Sequence, residues 1–260
     1  MRPALRPVPA VVLAAPGTNR DGDVASALRL AGADPTVLHL ADLRDRRAAL
    51  RRARLVVVAG GFSFADALGS GRLFALELAA AAGDELRRLI DLGRPVLGIC
   101  NGFQVLVRAG ILPGLGIDQA VALGHNRNGR FECRWVSLLP VSDRCVWTAG
   151  LTEPVECPVA HGEGRFTADD DTVAKLRAND QIALVYGAGD RPAAGMYPAN
   201  PNGSEADVAG ICDPSGVVLG LMPHPENHVH PTQHPRWRRG RAAGSGVPLL
   251  ANGIHHAEEA

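Results

Sequence analysis

Residues 95–105 read PVLGICNGFQV, and this stretch decides the fold and the chemistry that we expect. The apolar run 95–99 predicts a buried strand, and residues 102–109 predict a helix directly after it. Cys100 lies between them, with glycines at both second neighbours. A sharp, strained turn of this kind exposes a nucleophile, as in the Gly-x-Ser-x-Gly elbow, here with sulfur in place of oxygen.

The helix after Cys100 favours a thiolate, because the positive end of a helix dipole lies at the N-terminus. The backbone N–H of Asn101 would then be free to stabilise an oxyanion. The pentapeptide alone leaves an alternative open, a buried strand cysteine beside two turn glycines. The functional interpretation therefore depends on the other groups that a nucleophilic cysteine needs.

A thiolate nucleophile needs a base, and the base needs a group that orients it. His224 and Glu226 are the best pair, because they follow the apolar run 217–222. Open α/β sheets build their sites at this carboxyl edge of the strands. Read alone, His224 could equally be a surface histidine in a proline-rich loop. Read together with the cysteine turn, the pair predicts a base and its orienting carboxylate.

Gly60 and Gly61 directly follow another apolar run, residues 55–59. Glycines at a strand end let backbone amides approach a ligand, so an amide here could complete an oxyanion hole with Asn101. Taken alone, two glycines after a strand are usually a turn.

Apolar runs alternate with helical patterns through the first half of the chain, which predicts βαβ units and a parallel sheet. From Arg130 onward we expect strands with few helices between them. We predict an α/β fold with a mostly parallel central sheet flanked by helices and a β-rich second half. One domain covers residues 1–235, and a polar, irregular surface extension covers 236–260. The predicted helices are 21–31, 43–52, 73–82, 85–92 and 102–109.

Composition excludes several classes of protein. Lys+Arg and Asp+Glu are both 27, so no sequence-wide basic field for nucleic acid or an anionic membrane exists. Lys175 is the only lysine and follows Ala174, so the chain lacks a P-loop for ATP. Five widely spaced cysteines without C-x-x-C spacing indicate a reducing compartment and no structural zinc site. No run has the length of a membrane span or signal peptide, so we expect a cytoplasmic protein.

Several motifs together resemble one family. The chain is similar over residues 10–235 to the PurQ-type glutamine amidotransferase subunits of phosphoribosylformylglycinamidine synthase, within the class I (triad) glutamine amidotransferases. The resemblance implies the flavodoxin-like fold of that class. It is carried by APGTN at 15–19, GGFS at 60–63, GICNGFQV at 98–105, PVAHGEGRF at 158–166, AGICDP at 209–214 and MPHPE at 222–226.

The resemblance implies a role for each residue of the triad. Cys100 attacks the side-chain amide of glutamine and forms a γ-glutamyl thioester, which water hydrolyses to glutamate. His224 activates Cys100 and later protonates the leaving ammonia, and Glu226 orients His224.

The resemblance also implies the substrate site and the partners. Gly61 and Asn101 would donate oxyanion amides, and Gln104 would line the glutamine site. The ammonia would pass to a PurL-type synthetase subunit, with a small PurS-type subunit bridging the two. That synthetase would use ATP and Mg²⁺ on formylglycinamide ribonucleotide, so this chain would need no cofactor.

The string His161, Glu163 and Arg165 could be a second acid–base site, but the family favours a partner-facing or supporting loop. His125 and Asn126 would lie near the glutamine pocket.

Two positions depart from the family's pattern. The segment 64–68 has a single carboxylate, Asp66, where the family usually has two, and Asn227 stands where an arginine is common. Neither change touches the triad. A metal site is conceivable by count from four histidines, but they lie in a proline-rich stretch without the support of a helix, and we expect no metal. The four are His224, His228, His230 and His234.

Two other functions stay open at this stage. The chain could be a partner-binding subunit with little activity of its own, or a cysteine-dependent hydrolase of another substrate such as a peptide or an ester. A glutamine site would need groups for the α-amino and α-carboxylate ends, which the sequence does not place.

Overall fold

A mixed β-sheet of ten strands forms the centre of the computed structural model, which describes residues 7–114, 121–240 and 246–260. The strands are β1 Val8–Ala14, β2 Ala33–His39, β3 Leu55–Val58, β4 Val96–Ile99, β5 Val121–His125, β6 Glu132–Pro140, β7 Val155–His161, β8 Glu163–Ala168, β9 Ile182–Ala188, β10 Arg191–Pro192, β11 Val208–Cys212 and β12 Val218–Leu221. The helices are α1 Asp21–Leu30, α2 Leu43–Arg52, α3 Arg72–Asp91, α4 Asn101–Arg108, α5 Asp170–Ala178 and α6 Gly246–Glu259.

The sheet divides into a parallel half and an antiparallel half. Its order is β2-β1-β3-β4-β12-β11-β9-β6-β7, with β10 paired to β9. The neighbours from β2 to β12 are parallel, and the pairs from β12 onward are antiparallel. Strands β5 and β8 form a separate antiparallel ribbon. The predicted α/β fold with a β-rich second half is confirmed.

The central strands are apolar because both of their faces are covered. Every residue of β3, β4 and β12 is buried, as expected of strands inside a parallel sheet. Helix α1 packs with α6, and α3 packs with α2 and α4. Within the described ranges, no helix is both long and apolar enough to cross a bilayer.

Gly83 does not interrupt α3, so the prediction of two helices at 73–82 and 85–92 is wrong. A glycine inside a helix costs about 1 kcal/mol relative to alanine. Phe74, Leu78, Leu86 and Leu89 are buried on one side of the helix, on both sides of Gly83 along the chain. Their burial outweighs that cost, because each large apolar side chain contributes roughly 1.5–3 kcal/mol.

The irregular surface extension that we expect at residues 236–260 is not found at residues 246–259, which form α6. Leu249 and Leu250 are fully buried, and Ile254 and Ala257 recur one and two turns later. A Cβ at Gly246 would overlap the carbonyl of Pro225. The end of the chain therefore packs directly against the turn that contains Glu226.

Candidate active site

Cys100 lies in a strained turn between β4 and α4, with φ of 52° and ψ of −108°. A positive φ is uncommon for a residue other than glycine. The neighbouring glycines make the turn possible: a Cβ at Gly98 would lie 2.7 Å from the Gly102 carbonyl oxygen, and one at Gly102 would overlap the Val58 carbonyl of β3. The turn predicted from the Gly-x-Cys-x-Gly pattern is therefore present.

His224 and Glu226 form a buried pair directly after β12. His224 Nδ1 lies 2.7 Å from Glu226 Oε1, and both side chains are almost fully buried. The backbone N–H of His224 donates to the Pro158 carbonyl of β7 at 2.8 Å, which fixes the backbone of the turn. The pair is thus held from two sides.

The structure brings Cys100 and His224 together because β4 and β12 are parallel neighbours. The carboxyl ends of these two strands lie at the same edge of the sheet. A Cβ placed on Gly60 would lie 3.1 Å from His224 Cε1 and 3.3 Å from Cys100 Cβ. Gly60 therefore sits against both side chains, and any larger residue there would separate them.

The surroundings of His224 favour its charged form. Burial lowers the pKa of His224, but the charges of Glu226 and then Cys100 outweigh it and raise that pKa to about 10. The second ring nitrogen, Nε2, is buried without a hydrogen-bond partner among the described residues. Since Nδ1 is held by Glu226, Nε2 is the nitrogen that can exchange a proton at the sulfur of Cys100. A thiolate and an imidazolium side by side match the activated form of a cysteine nucleophile.

One predicted oxyanion donor, Asn101, follows Cys100 in the chain, and the other, Gly61, follows the neighbouring strand β3. Asn101 is the first residue of α4, so its N–H has no acceptor within the helix. Gly61 has a φ of 133°, and a Cβ there would lie 2.6 Å from the backbone nitrogen of Asn19. Within the described residues, the N–H of Gly61 has no backbone acceptor. Both amides are therefore available to a ligand.

The side chain of Asn101 does not line the cavity; it holds the neighbouring residues in place. Its Oδ1 accepts from the Ser63 hydroxyl at 2.5 Å. Its Nδ2 donates to Gln104 Oε1 at 3.2 Å and lies 3.5 Å from Asp66 Oδ1. Gln104 in turn donates to the Glu163 carbonyl at 3.1 Å. Any contribution of Asn101 to an oxyanion hole would come from its backbone.

A cavity of about 340 Å³ opens above the nucleophile. A volume of this size suits a small polar molecule such as an amino acid. The predicted residues Gly61, Cys100 and Gln104 all line it, and so does His125. Sequence reasoning placed Glu163 in a supporting or partner-facing loop and gave Asp66 no role. Both are found in the cavity wall, together with Ser70 and His161.

His161 is a neutral, buried histidine held by Asn126. Asn126 Nδ2 donates to the carbonyls of His161 at 2.7 Å and Arg130 at 2.8 Å. Its Oδ1 is therefore the acceptor for His161 Nδ1–H, 3.0 Å away. Burial and the nearby charge of His224 lower the pKa of His161 to about 3. A charged acid–base role for His161 is thus disfavoured, and Arg165 does not line the cavity.

The histidines after the triad have other contacts. His228 Nδ1 lies 2.5 Å from the Glu156 carbonyl, and His234 Nδ1 accepts from the Arg236 N–H at 3.0 Å. The rings of both pack against Trp135. In the part of the chain that the structure describes, no group of three or more His, Cys, Asp or Glu could hold a metal ion.

Comparisons with known proteins identify the family of this chain. Residues 7–256 match the family of CobB/CobQ-like glutamine amidotransferase domains. A phosphoribosylformylglycinamidine synthase subunit PurQ from Treponema denticola is 51% identical over 237 residues, which cover 85% of this chain and 88% of that protein. A PurQ subunit from Dehalococcoides mccartyi is 38% identical over 257 residues, 97% of this chain and 98% of that protein.

A solved structure, that of PurLQS from Thermotoga maritima, contains a chain similar to this one. The TM-score is 0.73 at 30% identity, over 96% of this chain and 99% of that chain. The range of the family match includes the cysteine turn and the buried His224–Glu226 pair. The chain belongs to the glutamine amidotransferase family, among the PurQ glutaminase subunits of phosphoribosylformylglycinamidine synthase.

Proposed function

We propose that this chain releases ammonia from glutamine at Cys100 and delivers it to a synthetase subunit that makes formylglycinamidine ribonucleotide. One observation carries the proposal: the nucleophile turn places Cys100 in the cavity wall and against His224, whose other nitrogen is held by Glu226 at 2.7 Å. A buried carboxylate beside an imidazole, with that imidazole beside a thiol, is the arrangement of a nucleophilic triad.

In the first half of the reaction, the Cys100 thiolate attacks the side-chain amide carbon of glutamine. The electron pair of the C=O bond moves to oxygen, where the N–H groups of Gly61 and Asn101 stabilise the charge. His224 gives the proton on Nε2 to the amide nitrogen. The C–N bond then breaks, ammonia leaves, and a γ-glutamyl thioester remains on Cys100.

In the second half, water hydrolyses the thioester. Neutral His224 accepts a proton from water as the oxygen attacks the thioester carbon. The C–S bond breaks, glutamate leaves, and the thiolate–imidazolium pair is restored. Glu226 keeps His224 in one orientation through both halves, since its bond to Nδ1 leaves only Nε2 to exchange protons.

The partners follow from the family. The Thermotoga maritima structure is of an assembly named PurLQS, and we propose that this chain docks in the same way on a PurL-type synthetase with a PurS-type bridging subunit. ATP and Mg²⁺ would act on the synthetase, so the reaction in this chain needs no cofactor. Free thiols at five cysteines fit a cytoplasmic location.

Substitution of the nucleophile tests the proposal. In the reconstituted complex, Cys100→Ala should abolish glutamine-dependent synthesis and leave synthesis from added ammonia unchanged. The matched control is Cys133→Ala, because Cys133 is an exposed free cysteine, and it should keep both rates. A Cys100→Ala complex that still uses glutamine would rule out the role of Cys100.

The same assay distinguishes this proposal from the two alternatives, a partner-binding subunit and a hydrolase of another substrate. A partner-binding subunit without catalysis would give a complex that uses only ammonia even with the wild-type chain. A hydrolase of another substrate would cleave esters or peptides at Cys100 faster than it releases glutamate from glutamine.

A further inference from the structure

The carboxylate of Glu226 has a single hydrogen-bond partner among the described residues. Its Oε1 lies 2.7 Å from His224 Nδ1, while its Oε2 is buried without a partner in that part of the chain. Only 1% of Glu226 is exposed. Since one hydrogen bond does not fix a carboxylate, its position depends on the backbone of the short turn that carries it, Pro225–Asn227, which we call the carboxylate turn.

Helix α1 holds the end of the carboxylate turn through a side-chain hydrogen bond. Asn227 Nδ2 donates to Asp23 Oδ2 at 3.1 Å, and Arg20 forms an ion pair with the same oxygen at 3.0 Å. The backbone N–H of Asn227 donates to the His224 carbonyl at 3.1 Å. Asn227 therefore links α1 to the backbone of the catalytic histidine.

Helix α6 holds the start of the carboxylate turn through a backbone contact that leaves no room for a side chain. A Cβ at Gly246 would overlap the Pro225 carbonyl, and the Gly246 N–H donates to the His228 carbonyl at 3.0 Å. The far end of α6 is also tied down, because Arg54 Nε donates to the Ala257 carbonyl at 2.7 Å. The first residue of α6 is thus fixed against the turn.

We infer that Asn227 and Gly246 are positioning residues for Glu226: they hold the carboxylate turn at both ends and so keep Glu226 Oε1 at His224 Nδ1. Neither residue lines the cavity, so both act through the turn and not on the substrate. The inference rests on the proposed function, in which Nε2 of His224 exchanges protons at Cys100. A misplacement of about 1 Å in such a site can reduce the rate by about 100-fold.

The alkaline limb of the pH–rate profile distinguishes positioning from general stability. Burial lowers the pKa of His224, and the charge of Glu226 raises it. The other titratable groups that face His224 lie outside the carboxylate turn; they are Cys100, His161 and Cys157. A variant that displaces this turn should weaken the effect of Glu226, so that His224 loses its proton at lower pH and the alkaline limb moves to lower pH.

Variants at the hydrogen bond to α1 give the first test, in the complex with the synthetase. Asn227→Ala should reduce kcat for glutamate release by about 10-fold, leave the KM for glutamine unchanged and move the alkaline limb to lower pH. Asp23→Ala should do the same, whereas Asp23→Asn keeps an acceptor oxygen and should behave as wild type. Because both alanine variants break one bond, the double variant should be no slower than either single variant.

Two glycines of α6 give a second test with a matched control. Gly246→Ala should reduce kcat by about 10-fold or more and move the alkaline limb to lower pH, since its Cβ would displace the Pro225 carbonyl. Gly253 lies two turns further along the same helix, and a Cβ there would overlap the ring of Trp147. Gly253→Ala should therefore lower the urea midpoint and leave the alkaline limb in place.

The outcomes separate this inference from the proposed function. An alkaline limb that stays in place in both Asn227→Ala and Gly246→Ala would overturn the inference, and so would an equal shift in Gly253→Ala, which would indicate a general loss of stability. Where Gly246→Ala does not fold, the variants of Asn227 and Asp23 decide. If Cys100→Ala still releases glutamate from glutamine, the proposed function fails; if Cys100 is required but the limb does not move, only this inference fails.

Discussion

Glu226 stabilises the charged form of His224 and leaves Nε2 as the ring nitrogen that can exchange a proton. The 2.7 Å contact at Nδ1 fixes the ring, and the raised pKa of His224, about 10, keeps the imidazolium present at neutral pH. At this scale the sequence predicted that Cys100, His224 and Glu226 lie together, since they follow two apolar strands. It could not predict that Gly60 makes the contact between His224 and Cys100 possible, because that role depends on how closely two loops approach.

Removing the Glu226 charge should lower both the rate and the pKa of His224. In Glu226→Gln the first group that raises the pKa of His224 is lost, so the imidazolium needed to protonate ammonia disappears at a lower pH. We expect the alkaline limb of the pH–rate profile to move to lower pH, with kcat reduced by about 100-fold or more. The profile of glutamate release between pH 6 and 10 is the measurement. An unchanged alkaline limb would mean that another group protonates the ammonia.

At the scale of elements, the cysteine turn depends on α4 lying very close to β3. Predicted and observed bounds agree for α2 and nearly so for β3 and β4, whose apolar runs end in turn residues. Helix α5 and the β5–β8 ribbon were not predicted, because their short segments mix polar and apolar residues. Helix α6 was missed because Gly246, Pro248 and Gly253 lower its helix propensity, and tertiary packing overrides that preference.

The close approach of α4 gives a prediction with a matched control. Gly102→Ala should destabilise the protein by about 2 kcal/mol or more, because the new Cβ would overlap the Val58 carbonyl. Gly22→Ala, in the first turn of α1, meets no atom within 4 Å and should be neutral or slightly stabilising. Urea unfolding of the two variants makes the comparison, and equal stabilities would show that the packing of α4 on β3 is looser than described.

The last helix gives a second prediction at this scale. Leu250 is fully buried, so Leu250→Ala should cost about 2–5 kcal/mol of unfolding free energy. His255→Ala, whose side chain is 72% exposed, should change it by less than about 0.5 kcal/mol. The difference in denaturation midpoints checks this, and a Leu250→Ala protein as stable as the control would imply that α6 adds nothing to the core.

At the scale of the whole molecule, sheet topology assembles the site from distant parts of the sequence. The parallel pairing of β4 and β12 places Cys100 and His224 at one edge, which sequence reasoning anticipated from the rule that parallel strands end together. The acidic side chains of the cavity wall were not predicted. Asp66 lies in a loop without a periodic pattern, and Glu163 lines the cavity at the turn between β7 and β8.

The thioester itself provides the most direct test of the account. Glutamine labelled in its carbon chain is mixed with the complex, the reaction is stopped in acid, and the digested chain is analysed by mass spectrometry. We expect a glutamyl group on the peptide that contains Cys100, absent in Cys100→Ala and present in Cys133→Ala. Turnover of glutamine without that adduct, or with the label on another residue, would contradict the proposal that Cys100 is the nucleophile.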